Sequence, residues 1–354
     1  MLSQTALTLI LLAGTLRPAT AEPSPHVFSD LAAQSANIRG RLFSQDAYRA
    51  HFNGKGYLCR NRSGREGYNE ATADGIARRE NGECADLQGQ NLSGLDLSWS
   101  FLKAANVNGA HAVGTIFKGA RMPGVVMVNT DAFEANLTGS DLEYAVIKDT
   151  RLEWADLGGA NLRGAVLNRT DFKRARLHKT DLRAAEMIAT DFRGAYLQEA
   201  SLDGAVLMLA SLAAADLSGA SLIGANLQAC DLRMADFSRA HMAGVDMLQA
   251  NWYAGNAYGA DLRGANLQET LIAHMDFRTA DLSGANISGA SIFRAHFDGA
   301  NLDGADFTAS DLRYTSLRGA KVSGTVFKDA RYNAGTILPF DDEEALRRGM
   351  RKEH

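Results

Sequence analysis

The side chains with the widest chemical repertoire in this chain are eight histidines, three cysteines and a large set of aspartates. No histidine stands near a cysteine or at the i, i+4 spacing of a helical metal site, and no two cysteines form a Cys-x-x-Cys pair. The sequence also lacks a Gly-rich phosphate loop and a nucleophile elbow. We therefore predict a protein that is not an enzyme, with no catalytic residues, no cofactor and no metal site.

The aspartates and asparagines recur one residue before a large apolar residue. Short polar side chains at such places accept hydrogen bonds from nearby backbone amides in turns, and we expect that role here. A calcium-binding β-roll would instead group its acidic residues with glycines in a nonapeptide pattern. Examples of the recurring positions are Asp171, Asp181, Asp191, Asp216, Asn226, Asp231 and Asp236.

The three cysteines differ in their surroundings. Cys59 and Cys84 lie in the N-terminal part of the chain, and a disulfide between them would close a loop of about 25 residues. In an oxidising compartment that bond would contribute about 3 kcal/mol, while two unpaired thiols are the alternative. Cys230 occupies a position that is otherwise small, so we expect a buried and unreactive thiol there.

A five-residue repeat runs from Ala85 to about Tyr332. We call its large apolar residue the centre; centres fall at 87, 92, 97 and onward in fives, and most of them are Leu or Phe. The residue two before each centre, the small position, is nearly always Ala, Ser, Thr, Gly or Cys. A period of five fits neither a helix nor a strand, so each short segment must turn a corner and point its centre inward.

The repeat resembles that of the pentapeptide-repeat family, whose motif is A(D/N)LXX. Ala155-Asp156-Leu157-Gly158-Gly159 and Ala160-Asn161-Leu162-Arg163-Gly164 show the match. The resemblance implies an all-β fold, a right-handed quadrilateral β-helix with four pentapeptides, or twenty residues, in each coil. Recurrences at that spacing agree with it: Thr130, Thr150, Thr170 and Thr190, and Gly204, Gly224, Gly244, Gly264, Gly284, Gly304 and Gly324.

The N-terminus carries features of an export signal. Ala6 to Leu16 form an apolar run, and Ala19-Thr20-Ala21 provides a small-x-small cleavage sequence before Glu22, although no Lys or Arg precedes the run. We expect a periplasmic or secreted protein. No later segment reaches the roughly 18–20 apolar residues of a membrane span.

We predict four regions along the chain. Open ends of a β-helix expose unpaired backbone, so the segment before the repeat is expected to dock over the first coil as a partly helical cap, with one helix from Glu70 to Glu80. A short helix near Asp341 should cap the other end. The regions are a signal peptide (1–21), an N-terminal cap (22–84), the β-helix (85–337) and a C-terminal cap helix and tail (338–354).

Two groups of side chains are candidates for binding. An apolar stripe at outward positions would form an interface with a partner or a second copy, or would simply suit a flat sheet face. An aromatic platform would bind a sugar or a peptide, or would reflect a bulged coil with Tyr258 filling the space beside Ala257. The stripe is Val126, Val128, Val146, Val166, Ile188, Val206, Met208, Leu209 and Leu248, and the platform is Trp252, Tyr253 and Tyr258.

Charge favours no nucleic-acid partner. The net charge is −4, and a basic belt circles one coil instead of lining a face. We therefore predict an exported scaffold that binds a macromolecular partner or itself, or a carbohydrate- or cell-wall-binding module. The resemblance adds a third reading, a gyrase-interacting mimic of DNA, which needs a strongly acidic face. The belt is Arg163, Arg169, Lys173, Arg174, Arg176, Lys179 and Arg183.

Overall fold

The computed structural model describes residues 68–77 and 82–353. The chain divides into two units, Met1–Leu58 and Cys59–His354, and every described residue belongs to the second. The predicted signal peptide, most of the predicted N-terminal cap and Cys59 lie outside the described residues. Within the described part, no helix is both long enough and apolar enough to cross a membrane.

Parallel backbone pairing with a register of twenty organises the repeat. Four ladders begin within one coil, and along each of them a residue pairs with the residue twenty positions further on, except for the last pair, Ser316–Ile337, which is 21 residues apart. Most pairings are single-residue bridges, because each pentapeptide turns after a very short extended segment. This confirms the twenty-residue coil. The ladders A, B, C and D begin with the pairs Asp86–Asn106, Asn91–His111, Asp96–Ile116 and Phe101–Arg121.

Regular elements longer than a bridge are few among the described residues. Two of them are helices, α1 and α2, and the strands form three parallel pairs: β1 with β2, β3 with β4, and β5 with β6. Their bounds are β1 Asn69–Glu70, α1 Ala73–Ala77, β2 Ala85–Asp86, β3 Val126–Val128, β4 Val146–Lys148, β5 Arg331–Tyr332, α2 Asp342–Arg347 and β6 Arg351–Lys352.

The centres and small positions fill the interior. Leu157, Leu162 and Leu167 are fully buried, as are the alanines two residues before them. The centre's amide donates to a carbonyl in the next coil, as Leu157 does to Arg176 at 2.7 Å. The second residue after each centre has φ near +60°, which turns the chain. The glycines from Gly204 to Gly324 occupy this corner, since glycine adopts positive φ without steric cost.

Buried threonines at small positions connect successive coils. Thr170 Oγ1 donates to the carbonyl of Ile147 at 2.6 Å, and Thr190 Oγ1 donates to that of Leu167 at 2.9 Å. These bonds satisfy hydroxyls that have no access to water. Cys230 lies in the same column, fully buried, with its Sγ 3.0 Å from a carbonyl oxygen. Burial raises the pKa of this free thiol to about 12, which fits the expected inert role.

Trp252 keeps the pairing of a centre with the next coil. Its side chain is fully buried and packs edge-to-face between Phe237 and Phe277, with ring centroids 5.0 and 5.5 Å away. Its amide keeps the bond to the next coil, donating to Leu271 at 2.7 Å. The coil therefore keeps its register of twenty instead of bulging, but it is distorted locally: the Gly255 amide does not donate to the Trp252 carbonyl and lies 3.1 Å from Met275 Sδ.

Two small residues make the room that Trp252 needs. Gly255 stands at a small position, where a Cβ would lie only 2.6 Å from Trp252 Nε1 and 2.8 Å from the carbonyl oxygen of Ala235. Ala257 is an undersized centre, fully buried. Tyr258 is 40% exposed and does not fill the space beside Ala257, so that expectation is also wrong. The interior accommodates the indole because Gly255 and Ala257, at neighbouring interior positions, are small.

The first coil is covered on its N-terminal side. Strand β1 pairs with β2, so parallel pairing begins at Asn69, ahead of the predicted start of the repeat at residue 85. The helix α1 begins at Ala73, three residues after the predicted start at Glu70, and its Ile76 is buried against the core; residues 78–81 lie outside the described part of the chain. The side chain of Gln90 donates to the carbonyl of Ala71 at 2.7 Å and accepts from the amide of Ala73 at 2.9 Å.

The last coil is covered by α2 and β6. Asp341 caps α2 by accepting from the amide of Glu344 at 2.8 Å, as the predicted C-terminal helix requires. Ala345 is the buried residue of this helix. Phe340 packs edge-to-face on Phe327, with ring centroids 5.7 Å apart. The chain then returns as β6, which restores the register of twenty with β5. The sequence did not reveal this strand, because no centre marks it.

Gly255→Ala should destabilise the protein by about 1–3 kcal/mol, because the added methyl group overpacks the interior beside the indole. Chemical denaturation monitored by Trp fluorescence and circular dichroism would measure the loss. Adding Trp252→Leu should recover part of it, since this removes the contact with the indole while the contact with the Ala235 carbonyl oxygen remains. An equal loss in the single and double variants would show that the indole is not the obstacle.

The Cys230 thiol should resist alkylation by iodoacetamide in the native protein and react once the chain unfolds, as read by peptide mass spectrometry. Its folded pKa of about 12 exceeds the ordinary value of 9.0, so the unfolded chain loses the proton first. Stability should therefore fall as pH rises above about 9, relative to a Cys230→Thr control that has no thiol. Parallel pH profiles for the two proteins would contradict this.

Candidate functional site

The recurring aspartates and asparagines bond to the backbone, as predicted. Asp171 accepts from the amide of Lys173 at 3.0 Å, and Asn226 accepts from that of Gln228 at 3.0 Å. The other five positions make the same bond, which spans two residues and stabilises the turn after each centre. They are Asp181, Asp191, Asp216, Asp231 and Asp236.

Many of these carboxylates are also paired with an arginine two residues on. The Arg183 guanidinium donates through Nε to Asp181 Oδ1 at 2.9 Å and through a terminal nitrogen to Oδ2 at 2.5 Å. This bond holds the pKa of the Asp181 carboxyl below its ordinary value. The outer surface is thus neutralised locally. The pairs are Asp181–Arg183, Asp191–Arg193, Asp231–Arg233, Asp261–Arg263, Asp276–Arg278 and Asp311–Arg313.

Five of the seven residues of the basic belt are paired with carboxylates, and Arg163 and Arg174 form no ion pair with the described residues. Lys173 contacts the carboxylates of Asp171, Glu153 and Asp191, and Arg169 makes a bidentate pair with Asp149. A groove for nucleic acid would need cations that are free to meet phosphates. The pairing therefore favours an ordinary solvated surface. Among the residues that the structure describes, no three His, Cys, Asp or Glu side chains form a group that could hold a metal ion.

Only one cysteine of the predicted disulfide lies in the described part of the chain. Cys84 is disulfide-bonded. Its predicted partner, Cys59, lies outside the described residues, so the pairing itself stays a prediction.

The predicted apolar stripe lies along ladder A and is largely covered. Val126, Val146, Val166 and Met208 are buried, and only Leu209 is clearly exposed, at 42%. The remaining members, Val128, Ile188, Val206 and Leu248, are half-buried. The expectation of a continuous exposed apolar surface is therefore wrong. Stacking at the register of twenty places each side chain between the equivalent residues of adjacent coils, which cover it.

The predicted aromatic platform does not assemble. Trp252 is in the interior, Tyr253 follows it on ladder B, and Tyr258 lies beyond the corner on ladder C. Residues next to a centre point outward while the centre points inward, so these three rings cannot share one surface. Neither Tyr is buried: Tyr253 is 42% exposed and Tyr258 is 40% exposed.

A different set of rings lies together on ladder B, and we call it the aromatic row: Tyr253, His274, Phe293 and Tyr314. Neighbouring centroids are 5.3, 6.2 and 5.2 Å apart, and each contact is edge-to-face. Tyr253 and Tyr314 are 42% and 50% exposed, His274 is exposed and Phe293 is half-buried. The row crosses four successive coils and presents one continuous aromatic edge to solvent.

Charged and apolar neighbours flank the aromatic row. The Arg294 guanidinium lies over Phe293 at 5.0 Å and over Tyr314 at 5.7 Å. Met234, 67% exposed, precedes Tyr253 by one coil and donates its amide to the carbonyl of Tyr253 at 2.9 Å. The surface therefore combines aromatic, thioether and guanidinium groups, which are the residue types enriched at protein interfaces.

Sequence reasoning missed the row because its spacings are not twenty. Tyr253 and Phe293 follow their centres by one residue, whereas His274 and Tyr314 follow theirs by two. The side chains alternate between two adjacent outward columns and meet across the boundary. A search for aromatic residues at either outward position on the same ladder would have found it.

Comparison with known proteins identifies the repeat. The family model described as pentapeptide repeats matches in eight copies, over residues 83–119, 150–187, 190–228, 220–251, 260–297 and 290–329, which is more than half of the chain. No curated protein matches.

Several solved structures are similar. One is HetL, a pentapeptide repeat protein involved in heterocyst differentiation regulation from Nostoc sp. strain PCC 7120, with 25% identity, 76% of this chain and 98% of that chain covered, and a TM-score of 0.29. Another is Rfr23 from Cyanothece 51142, with 23% identity, 33% and 90% covered, and a TM-score of 0.27. A third is full-length QnrB1, a plasmid-mediated fluoroquinolone resistance protein, with 18% identity, 54% and 86% covered, and a TM-score of 0.22.

The five-residue frame, the parallel pairing at twenty and the family match agree with one another. This chain belongs to the pentapeptide-repeat family.

Proposed function

We propose that this protein is an exported, non-enzymatic scaffold, a right-handed quadrilateral β-helix whose aromatic row binds a macromolecular partner, most simply another protein. The observation that carries the proposal is the unbroken contact of Tyr253, His274, Phe293 and Tyr314 on the surface of four successive coils. Four ladders with a common register of twenty support the quadrilateral form of the scaffold.

The dimensions and chemistry of the row suit a protein partner. With coils about 4.8 Å apart, its four rings extend over roughly 15 Å. Aromatic rings offer large contact area at low entropic cost, and Arg294 adds a donor that stays charged. Below the row, Asp311 joins Arg313 at 2.7 Å and Arg331 at 3.1 Å, and Glu353 contacts both arginines. This network gives the row a polar rim of the kind that surrounds interface cores.

Export is supported by two independent features. The first is the apolar run from Ala6 to Leu16 with its cleavage sequence before Glu22. The second is the disulfide at Cys84, because such bonds persist in oxidising compartments and are rare in the cytoplasm.

The alternative functions have less support. A DNA mimic would present a continuous acidic face, but here arginines two residues on pair with the aspartates of ladders B, C and D. A glycan-binding platform centred on Trp252 would need an exposed indole, and this one is fully buried. Self-association through Val146 and Val166 would need exposed valines, and both are buried.

A photoreactive residue, p-benzoylphenylalanine, in place of Tyr314 should cross-link to one discrete partner in cells that express the full chain. Adding Phe293→Asp should reduce the cross-linked band at least tenfold, because it places an unpaired charge in the centre of the row. The measurement is immunoblotting followed by mass spectrometry of the band.

The same photoreactive residue at Ile223 provides the matched control, since Ile223 is 50% exposed on ladder D. It should give no such band. Equal cross-linking from both positions, or none from Tyr314, would contradict binding through the aromatic row.

The mature protein isolated from cells should begin at Glu22, because cleavage after Ala21 would remove the signal peptide. Intact-mass measurement of protein from separated periplasmic or culture fractions would establish the first residue. Protein that retains Met1 and stays with the cytoplasmic fraction would contradict export while leaving the interaction proposal intact.

A further inference from the structure

A shallow groove of about 540 Å³ lies on ladder C, on a different ladder from the aromatic row. It crosses five successive coils. Ser218, Gly219 and Ser238 line its middle, with Glu199 at one end, Asp276 and Arg278 at the other, and Tyr258 one coil before that end. The groove exists because small side chains occupy two coils between larger neighbours.

The pairing of the coils sets the size of this groove. Gly219 donates its amide to Ser238 at 2.9 Å, and Arg239 donates its amide to Tyr258 at 2.8 Å, so the coils that carry them are adjacent. Four coil steps separate Glu199 from the coil of Arg278, or about 19 Å, and the stretch from Glu199 to Tyr258 accounts for about 14 Å of it. An oligosaccharide segment of two or three rings fits a trough of that length.

Tyr258 supplies a flat wall. The Arg278 guanidinium lies 5.8 Å from its ring centroid, and Arg278 is itself held by a bidentate pair with Asp276. One face of the ring is therefore occupied by a fixed neighbour, and the opposite face is left for the groove, where the side chain is 40% exposed. An aromatic face beside polar groups is the arrangement that receives the apolar face of a sugar ring.

Two acidic and two basic side chains line the groove, and Arg239 alone among these four has no ion-pair partner in the described part of the chain. Asp276 is paired with Arg278, and Glu199 has Lys179 3.6 Å away. Arg239 is exposed and forms no ion pair with any residue that the structure describes. A guanidinium in this position suits a carboxylate, which it can bind with two parallel hydrogen bonds.

Hydroxyl donors are present beside that cation. The amides of Ser218 and Ser238 are bonded to Asp216 and Asp236, at 3.0 and 2.8 Å. Their side-chain hydroxyls have no hydrogen-bond partner within the described part of the chain, so they can donate to and accept from sugar hydroxyls. A ligand with hydroxyls, an apolar ring face and a carboxylate matches all three kinds of group.

We propose that this groove binds an acidic saccharide. A uronate ring stacks on the free face of Tyr258, its carboxylate pairs with Arg239, and ring hydroxyls exchange hydrogen bonds with Ser218 and Ser238. The site is distinct from the one that was expected around Trp252, and it lies on a different ladder from the proposed partner surface.

Isothermal titration calorimetry of the mature full-length protein tests this with three-unit oligomers of galacturonate, mannuronate and guluronate. At least one should bind, and Tyr258→Ala and Arg239→Gln should each weaken that binding tenfold or more. The methyl ester of the same oligomer should bind as weakly to the wild type as the acid does to Arg239→Gln, because both lack the ion pair. Acetate alone should bind too weakly to measure.

Two matched controls accompany the variants. Tyr314→Ala removes an exposed ring from ladder B, and Arg318→Gln removes an exposed cation from ladder C outside the groove, so neither should change saccharide affinity. Absence of binding by all three oligomers, equal affinity for acid and ester, or unchanged affinity in both groove variants would overturn the proposal. Loss of saccharide binding in Tyr314→Ala would also overturn it, whereas the cross-linking result at the aromatic row is independent of it.

Discussion

The hydrogen bond from each centre's amide to the next coil is the constraint on which the rest of this structure depends. Leu157 donates to Arg176 and Leu162 donates to Asp181, each at 2.7 Å, and the same bond recurs along every ladder. Because backbone groups inside a folded protein must be paired, one coil dictates the register of the next. Equivalent side chains then stack at the spacing of the coils, which is why threonines, phenylalanines and valines form columns.

Stacking explains both the interior and the covered parts of the surface. Phe172 and Phe192 lie parallel at 5.1 Å in the core, and Thr170 reaches a carbonyl of the preceding coil. On ladder A the same geometry hides Val146 and Val166 between their neighbours although they point outward. How far an outward side chain is exposed therefore depends on its neighbours along the ladder, as the covered valines of ladder A and the exposed rings of the aromatic row show.

On the outer surface, many aspartates are paired with an arginine two residues further on, so their charges are neutralised locally. Asp181 accepts from the amide of Arg183 and from its guanidinium, so one carboxylate stabilises the turn and neutralises a cation. The lowered pKa of Asp181 means that this contribution is present above the ordinary carboxyl range and is lost as pH falls through the folded value. Arg239 is one of several cations that form no ion pair with the residues that the structure describes, and Arg294, which lies over two rings, is another.

The sequence by itself determined the frame. A Leu or Phe every fifth residue, with a small residue two before it, predicts segments that turn corners and point the large residue into a shared interior. Recurrences such as Thr130, Thr150, Thr170 and Thr190 indicate a coil of twenty residues, because side chains in one column pack against one another. It also indicated the capping helix after Asp341. Only the tertiary structure decided which outward residues are exposed, since that depends on neighbours twenty residues away. It placed Trp252 inside, beside Gly255, separated Tyr253 from Tyr258 around a corner, and brought Tyr253 to His274 across columns that no single period connects.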